Sequence, residues 1–198
     1  PGHGDTAQDS HVALPTVEAD AATVRERELA PFRDAIAGGV LTIMSSHIMV
    51  PALDPAEPAT FSRPILTDLL RGEMGFDGVI VSDALDMAGA SGEIGIPAAA
   101  AKALAAGCDL LCIGTANTDQ QMSEIVAAID GAVATGQLPA ERVADAGRRI
   151  VALARAMRAT APAGAVAAAG RVPGLDLGVV EAECGVNHTS PPATRSVS

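Results

Sequence analysis

The feature that most constrains the fold of this chain is a set of three short apolar runs, each followed by polar residues. The runs cover residues 40–44, 76–81 and 108–113, and none of them alternates regularly between apolar and polar positions. Continuous runs of this length are typical of strands that are covered on both faces, as in parallel sheets. Helical patterns separate the runs, so the sequence predicts a parallel α/β architecture.

Five segments have helical patterns, and glycines separate the helices from the strands. The segments cover residues 16–38, 62–72, 96–106, 118–135 and 139–159. Asp20 and Ser62 are the candidate N-caps of the first two, because their short side chains accept hydrogen bonds from backbone amides. A three-stranded parallel sheet alone would leave two open edges. The pattern therefore favours part of an eightfold (β/α)8 barrel, whose sites lie at the carboxyl ends of the strands.

Composition excludes several classes of function. The 198 residues have a formal net charge of −11, which argues against binding to nucleic acid or to an anionic membrane surface. No apolar run reaches the roughly 18–20 residues that a membrane span needs. From about Thr160 the sequence becomes rich in Ala, Pro and Gly, and then in Ser, Thr and Pro. We expect one domain over 1–158 and a linker or disordered tail over 159–198.

The three cysteines predict neither a disulfide framework nor a cofactor site. Cys108 and Cys112 lie four residues apart on a predicted strand, so their side chains point to the same face. Zinc binding would need further ligands, which the neighbouring sequence does not offer. The alternative, that both are small buried side chains, needs no partner. We expect no metal and no organic cofactor.

Polar side chains at the predicted strand ends are candidates for a site. Asp83 follows the second apolar run directly, where a barrel places its reactive groups. A carboxylate at this position can also cap a turn or the next helix, so that interpretation stays open. Asp86, in the same loop, is expected to bond to nearby backbone. His47 follows the first run and is a candidate pocket-lining residue.

A second candidate group lies in the glycine-rich segment at the start of the chain, which contains Asp9, Ser10 and His11. In an extended segment, side chains two residues apart project to the same side, so the Asp9 carboxylate can reach the His11 ring. Such a partner fixes the imidazole tautomer and leaves the other nitrogen free for proton transfer near neutral pH. The alternative is a surface histidine with a chance neighbour.

Several ordered segments resemble glycoside hydrolase family 3. Residues 1–11, Pro-Gly-His-Gly-Asp-Thr-Ala-Gln-Asp-Ser-His, are similar to the latter part of its Lys-His-Phe-Pro-Gly-His-Gly…Asp-Ser-His motif. That longer form belongs to the bacterial β-N-acetylglucosaminidases of the family. Residues 62–71 and 75–87 look like the segment leading to the family's nucleophile, and 107–114 resembles its last barrel strand. The resemblance extends to about residue 158.

The resemblance implies the fold class, the chemistry and the roles of the candidate residues. It implies the C-terminal portion of a TIM-type (β/α)8 barrel, incomplete in this chain. Asp83 would be the nucleophile, His11 the general acid/base and Asp9 its dyad partner. The substrate contact expected of His47 rests on its position after a strand and not on the resemblance. The implied activity is that of a retaining exo-β-N-acetylglucosaminidase, with carbohydrates that end in β-N-acetylglucosamine, such as peptidoglycan fragments, as substrates.

The chain departs from the family pattern at its start. The Lys-His-Phe that precedes the glycines in the family motif is absent, as are the earlier strands with their substrate-binding residues. We therefore expect a barrel fragment with little or no activity alone, whose N-terminal barrel half belongs to the complete protein. The sequence predicts no compartment, since any targeting segment would lie upstream of Pro1.

Other functions fit the same residues. Within the family, the alternatives are a β-glucosidase and an N-acetylglucosaminide phosphorylase, because a neutral imidazole does not repel an anionic phosphate acceptor. An alternative of another class is a non-catalytic half-barrel that binds a partner through its exposed core edge.

Overall fold

The computed structural model describes residues 2, 4, 6, 14–92, 94–115 and 117–160. Within these residues, the helical segments are Ala21–Thr23, Val24–Glu28, Ala30–Ala37, Ala59–Phe61, Pro64–Glu73, Ala88–Ser91, Ile96–Ala106, Asp119–Ala134 and Ala140–Thr160. The strands are β1, Thr42–Met44, and β2, Val79–Val81. The predicted tail over 159–198 lies almost wholly outside the described residues, so the domain boundary near 158 stays a prediction.

Short polar side chains begin the helices where the sequence predicts them. The Asp20 carboxylate accepts a hydrogen bond of 2.7 Å from the Thr23 amide. Ser62 Oγ accepts one of 3.2 Å from the Ile65 amide, and Thr118 Oγ1 accepts one of 3.2 Å from the Gln121 amide. Each bond satisfies an amide that has no partner within its own helix. Both predicted N-caps, Asp20 and Ser62, are confirmed.

The two strands lie side by side and run in parallel. Thr42 pairs with Val79, Ile43 with Ile80 and Met44 with Val81, so paired positions differ by a constant 37 residues (79 − 42 = 37). Parallel pairing brings the carboxyl ends of both strands to the same edge of the sheet. The predicted strand positions are therefore confirmed, although each strand begins later than predicted.

The third predicted strand, over 108–113, is reduced to a single parallel bridge between Leu110 and Val81. The segment still lies alongside β2, because the Ser82 amide donates to the Leu110 carbonyl over 2.9 Å. The Cys112 amide, however, donates to the Ser82 side-chain oxygen over 3.0 Å. Since a side chain takes the place of a backbone acceptor, regular pairing ends there.

One part of the core depends on small side chains. The Pro64–Glu73 helix buries Ile65, Leu66, Leu69 and Leu70, whereas the Ile96–Ala106 helix buries mainly alanines. Gly107 ends the latter helix with φ of +135°, and a Cβ there would lie 2.8 Å from Thr67 Oγ1. The small alanine side chains and Gly107 therefore let the two helices approach closely.

A buried carboxylate joins four elements at the amino end of the sheet. Asp109 is 3% exposed and accepts hydrogen bonds from the guanidinium groups of Arg71 and Arg142. The Ile80 amide donates to the same carboxylate over 2.8 Å. Burial lowers the pKa of Arg71 from its ordinary value, and the negative charge of Asp109 opposes that effect. The third strand segment, β2 and two helices are thus linked through one side chain.

Replacing Asp109 with alanine should destabilise the fold by about 3–5 kcal/mol, because two largely buried guanidinium groups would lose the carboxylate that neutralises them. Urea denaturation of the full chain measures the change. The matched control is Asp68→Ala, which removes an exposed carboxylate 3.7 Å from Arg63 and should change stability by less than about 0.5 kcal/mol. Equal effects of the two substitutions would contradict the structural role of Asp109.

The two described cysteines are free thiols in different surroundings. Cys108 is fully buried, as the interpretation of a small buried side chain predicts, and Cys112 is half-buried. Burial raises the pKa of the Cys108 thiol to about 12. Only the thiolate reacts with alkylating agents, so Cys108 should be inert in the folded chain.

At pH 8, about one Cys108 in ten thousand should be a thiolate, so iodoacetamide should alkylate Cys112 much faster. Mass spectrometry of peptides after timed quenching measures both rates, and urea-unfolded chain provides the control. Equal rates at the two cysteines in the folded chain would contradict the burial of Cys108.

Candidate functional site

The carboxyl ends of the strands bring together polar side chains that are far apart in sequence. Ser45, Ser46 and His47 follow β1, whereas Ser82 and Asp83 follow β2. Four of these five side chains are buried, and Asp83 is half-buried. Polar residues therefore concentrate at the edge of the sheet where the parallel architecture predicts a site.

Asp83 lies at this edge with a carboxylate that is partly exposed. Its Oδ1 accepts a hydrogen bond of 2.8 Å from the amide of Ala84. The following helix, Ala88–Ser91, has no side-chain cap. Asp83 therefore does not cap that helix. The Asp83 carboxylate instead makes a local hydrogen bond to the residue that follows it.

The backbone on both sides of Asp83 is fixed to the third strand segment. Ser82 is fully buried, and its Oγ accepts a hydrogen bond from the Cys112 amide. On the other side, the Leu85 amide donates to the Cys112 carbonyl over 2.8 Å, and the Leu85 side chain is fully buried. These contacts hold Asp83 between two anchored residues.

His47 lies beneath the same loop. Its ring is fully buried, and Nε2 lies 3.1 Å from the Ala84 carbonyl oxygen. A carbonyl only accepts hydrogen bonds, so Nε2 is the donor. The Phe61 ring packs near it, with centroids 6.3 Å apart. The predicted contact between His47 and a sugar stays a prediction, and the contact that the structure contains is with the Asp83 loop.

A glycine and a carboxylate meet at this edge in a way that the sequence analysis missed. Gly114 ends the third strand segment with φ of +94°, and a Cβ there would overlap the carboxylate of Asp86. Asp86 was expected to bond to its local backbone, whereas its carboxylate lies against Gly114. The glycine that closes the third apolar run was the signal for this close approach.

A second buried carboxylate orders the loop between β1 and the Pro64–Glu73 helix. Asp54 accepts hydrogen bonds from Ser62 Oγ over 2.6 Å and from the Ala56 amide over 2.9 Å. Burial raises the pKa of Asp54, but these hydrogen bonds outweigh burial and hold its pKa below the ordinary value. Asp54 is thus an ionised structural residue that positions Ser62 at the start of the helix.

Asp9 and His11 lie outside the described residues, so their arrangement stays a prediction. The segment that follows them is described. The Met49 amide donates to the Pro15 carbonyl over 2.8 Å, and the Val17 amide donates to the Met49 carbonyl over 2.9 Å. Since Met49 lies two residues after His47, the segment that begins at residue 14 is attached close to the same edge.

The described residues contain no group of three His, Cys, Asp or Glu side chains that could hold a metal ion. None of their helices is both long and apolar enough to span a membrane.

Comparison with known proteins gives consistent matches. The family model "Glycosyl hydrolase family 3 N terminal domain" matches residues 1–153. The chain is 43% identical over 129 residues to a beta-hexosaminidase of Chromobacterium violaceum, which covers 65% of this chain and 35% of that protein. A beta-hexosaminidase of Pseudomonas aeruginosa is 42% identical over 128 residues, which covers 65% of this chain and 37% of that protein.

A solved structure supports the same relation. The glycoside hydrolase family 3 beta-N-acetylglucosaminidase from Paenibacillus sp. matches with a TM-score of 0.76 and 38% identity, over 92% of this chain and 35% of that one. The predicted fold class, a portion of a TIM-type (β/α)8 barrel, is confirmed. The chain spans about a third of the length of the curated relatives that it matches.

Proposed function

This chain belongs to glycosyl hydrolase family 3, and on that premise we propose that it carries the nucleophile and the acid/base of a retaining exo-β-N-acetylglucosaminidase. The observation that carries the proposal is the position of Asp83. Its carboxylate is half-buried at the carboxyl end of β2, between Ser82 and Leu85, which are both bonded to the third strand segment. A nucleophile must meet the anomeric carbon in a defined geometry, and anchored flanking residues supply one.

His11 is proposed as the general acid/base, with Asp9 as the partner that orients its ring. Two observations support this assignment: the Asp-Ser-His sequence and the attachment of Pro15 beside Met49. Retaining glycosidases commonly use two carboxylates, one as nucleophile and one as acid/base. Here an imidazole would take the second role, and its ordinary pKa near neutrality suits proton transfer in both directions.

The proposed reaction has two steps. The Asp83 carboxylate attacks the anomeric carbon as the glycosidic bond breaks, and the leaving oxygen takes a proton from His11. Water then attacks the same carbon and loses a proton to His11, which releases the sugar and restores the Asp83 carboxylate. Two inversions give net retention of the anomeric configuration.

We propose terminal β-linked N-acetylglucosamine as the substrate class, with peptidoglycan fragments as a natural source. The names of the relatives support the sugar, since they are beta-hexosaminidases and a beta-N-acetylglucosaminidase.

The test measures release of 4-nitrophenol from 4-nitrophenyl β-N-acetylglucosaminide. Because the chain spans about a third of its relatives, the assay uses both the full chain and a chimera. In the chimera, residues 1–158 replace the aligned segment of the Chromobacterium violaceum relative. A folded chimera that hydrolyses neither this substrate nor its β-glucoside analogue would contradict the proposal. Release that requires added phosphate would indicate a phosphorylase instead.

In the active chimera, Asp83→Ala should lower kcat by at least roughly 10³-fold, because no other group forms the glycosyl intermediate. Added azide should restore release of 4-nitrophenol and yield a glycosyl azide of inverted configuration. Asp86→Asn, which removes a charge from the same loop, is the matched control and should stay within about tenfold of the parent. Similar losses from both substitutions, without azide rescue, would contradict the assignment of Asp83.

His11→Ala should slow hydrolysis by about 10²–10⁴-fold for substrates with a poor leaving group. The loss should be smaller for 4-nitrophenyl substrates, whose leaving group needs little protonation. A loss that is independent of the leaving group would contradict the role of His11 as the acid.

A further inference from the structure

We propose that His47 is a positioning residue that orients the Asp83 carboxylate through the intervening residue Ala84. The inference rests on the proposed function, since it concerns the nucleophile assigned there. It also revises the expected role of His47, which was a direct contact with the sugar.

The register of the sheet places His47 opposite Ala84. Paired residues of β1 and β2 differ by 37 positions, and so do His47 and Ala84 (84 − 47 = 37). The strands themselves end three residues earlier, at Met44 and Val81. The hydrogen bond from His47 Nε2 to the Ala84 carbonyl therefore continues the contact between the two strand segments beyond the last pair of strand residues. A side chain is the donor in this bond.

Ala84 connects this bond to the carboxylate. Its carbonyl accepts from His47 over 3.1 Å, and its amide donates to Asp83 Oδ1 over 2.8 Å. Fixing the carbonyl limits rotation of the residue, and with it the direction of the amide that contacts Asp83. The two bonds form a relay from the imidazole to the carboxylate oxygen.

The surroundings of His47 favour such a role. The ring is fully buried, and hydrogen bonds in a water-poor environment are stronger and more directional than exposed ones. Phe61 packs beside the ring, and Lys102 Nζ lies 5.2 Å from the centroid of Phe61. Lys102 is itself paired with Glu57 over 2.8 Å. The imidazole is therefore held in a packed group.

The first experiment needs no turnover and uses the full chain. Hydrogen exchange followed by NMR compares wild type, His47→Leu and His47→Gln. Leucine fills the space without a donor, whereas the glutamine amide can donate from nearly the position of Nε2. The relay predicts that the amides of Ala84 and Leu85 exchange at least about tenfold faster in His47→Leu, and that His47→Gln restores much of the protection.

The amide of Ile125, in the Asp119–Ala134 helix, is the internal control and should not change. Unchanged exchange at Ala84 and Leu85 in a folded His47→Leu chain would overturn the proposal, as would equal exchange in both variants. If His47→Leu does not fold, NMR of the ring nitrogens of wild-type His47 tests the relay instead, because it shows whether Nε2 carries a proton. A slowly exchanging proton on Nε2 supports the relay, and an unprotonated Nε2 overturns it.

The second readout is kinetic and is made in the hydrolytic chimera. His47→Leu should lower kcat by about 10–100-fold with KM within about threefold, because the carboxylate is misdirected while sugar contacts remain. His47→Gln should recover kcat to within about fivefold. A rise in KM alone would show that His47 contacts the sugar instead. Absence of hydrolysis in the parent would overturn the proposed function, while the exchange data would still decide on the relay.

Discussion

The parallel pairing of β1 with β2 is the constraint on which the rest of the structure depends. A constant offset between the paired residues sets the carboxyl ends of both strands at one edge, and that edge holds Ser45, His47, Ser82 and Asp83. A one-residue slip of one strand against the other would turn the side chains of the shifted strand to the opposite face. The hydrogen bond beyond the strands, from His47 to Ala84, depends on the same alignment.

The buried charge cluster and the proposed site lie at opposite ends of the sheet. At the amino end, the buried carboxylate of Asp109 links β2, the third strand segment and two helices, and its two arginine partners are partly buried. At the carboxyl end, the half-buried Asp83 carboxylate is free of arginine contacts among the described residues. An ion pair there would hold the carboxylate in place and compete with substrate. This division is the one that (β/α)8 barrels show in general.

Local patterns predicted the parts of the fold that local interactions determine. The helices begin at Asp20, Ser62 and Thr118, because a capping side chain and its amide lie within three residues of each other. The Ala88–Ser91 helix was missed, because a run of alanine and glycine has no apolar periodicity. The site was predicted as a position, the end of β2, but not as a set of contacts. His47 and Ala84, or Asp109 and Arg142, meet only through the tertiary fold.

The order in which Arg71, Asp109 and Arg142 are synthesised has a consequence for folding in the cell. These three residues form the Asp109 cluster. Arg71 leaves the ribosome first, Asp109 follows, and Arg142 comes 33 residues after Asp109. At ordinary elongation rates, the carboxylate therefore has one of its two guanidinium partners for roughly 2–7 s. During that interval the sheet can pair while the Ala140–Thr160 helix is still being made. Docking of the Ala140–Thr160 helix then pairs Arg142 with Asp109, so the cluster is completed only after the residues of the sheet have been made.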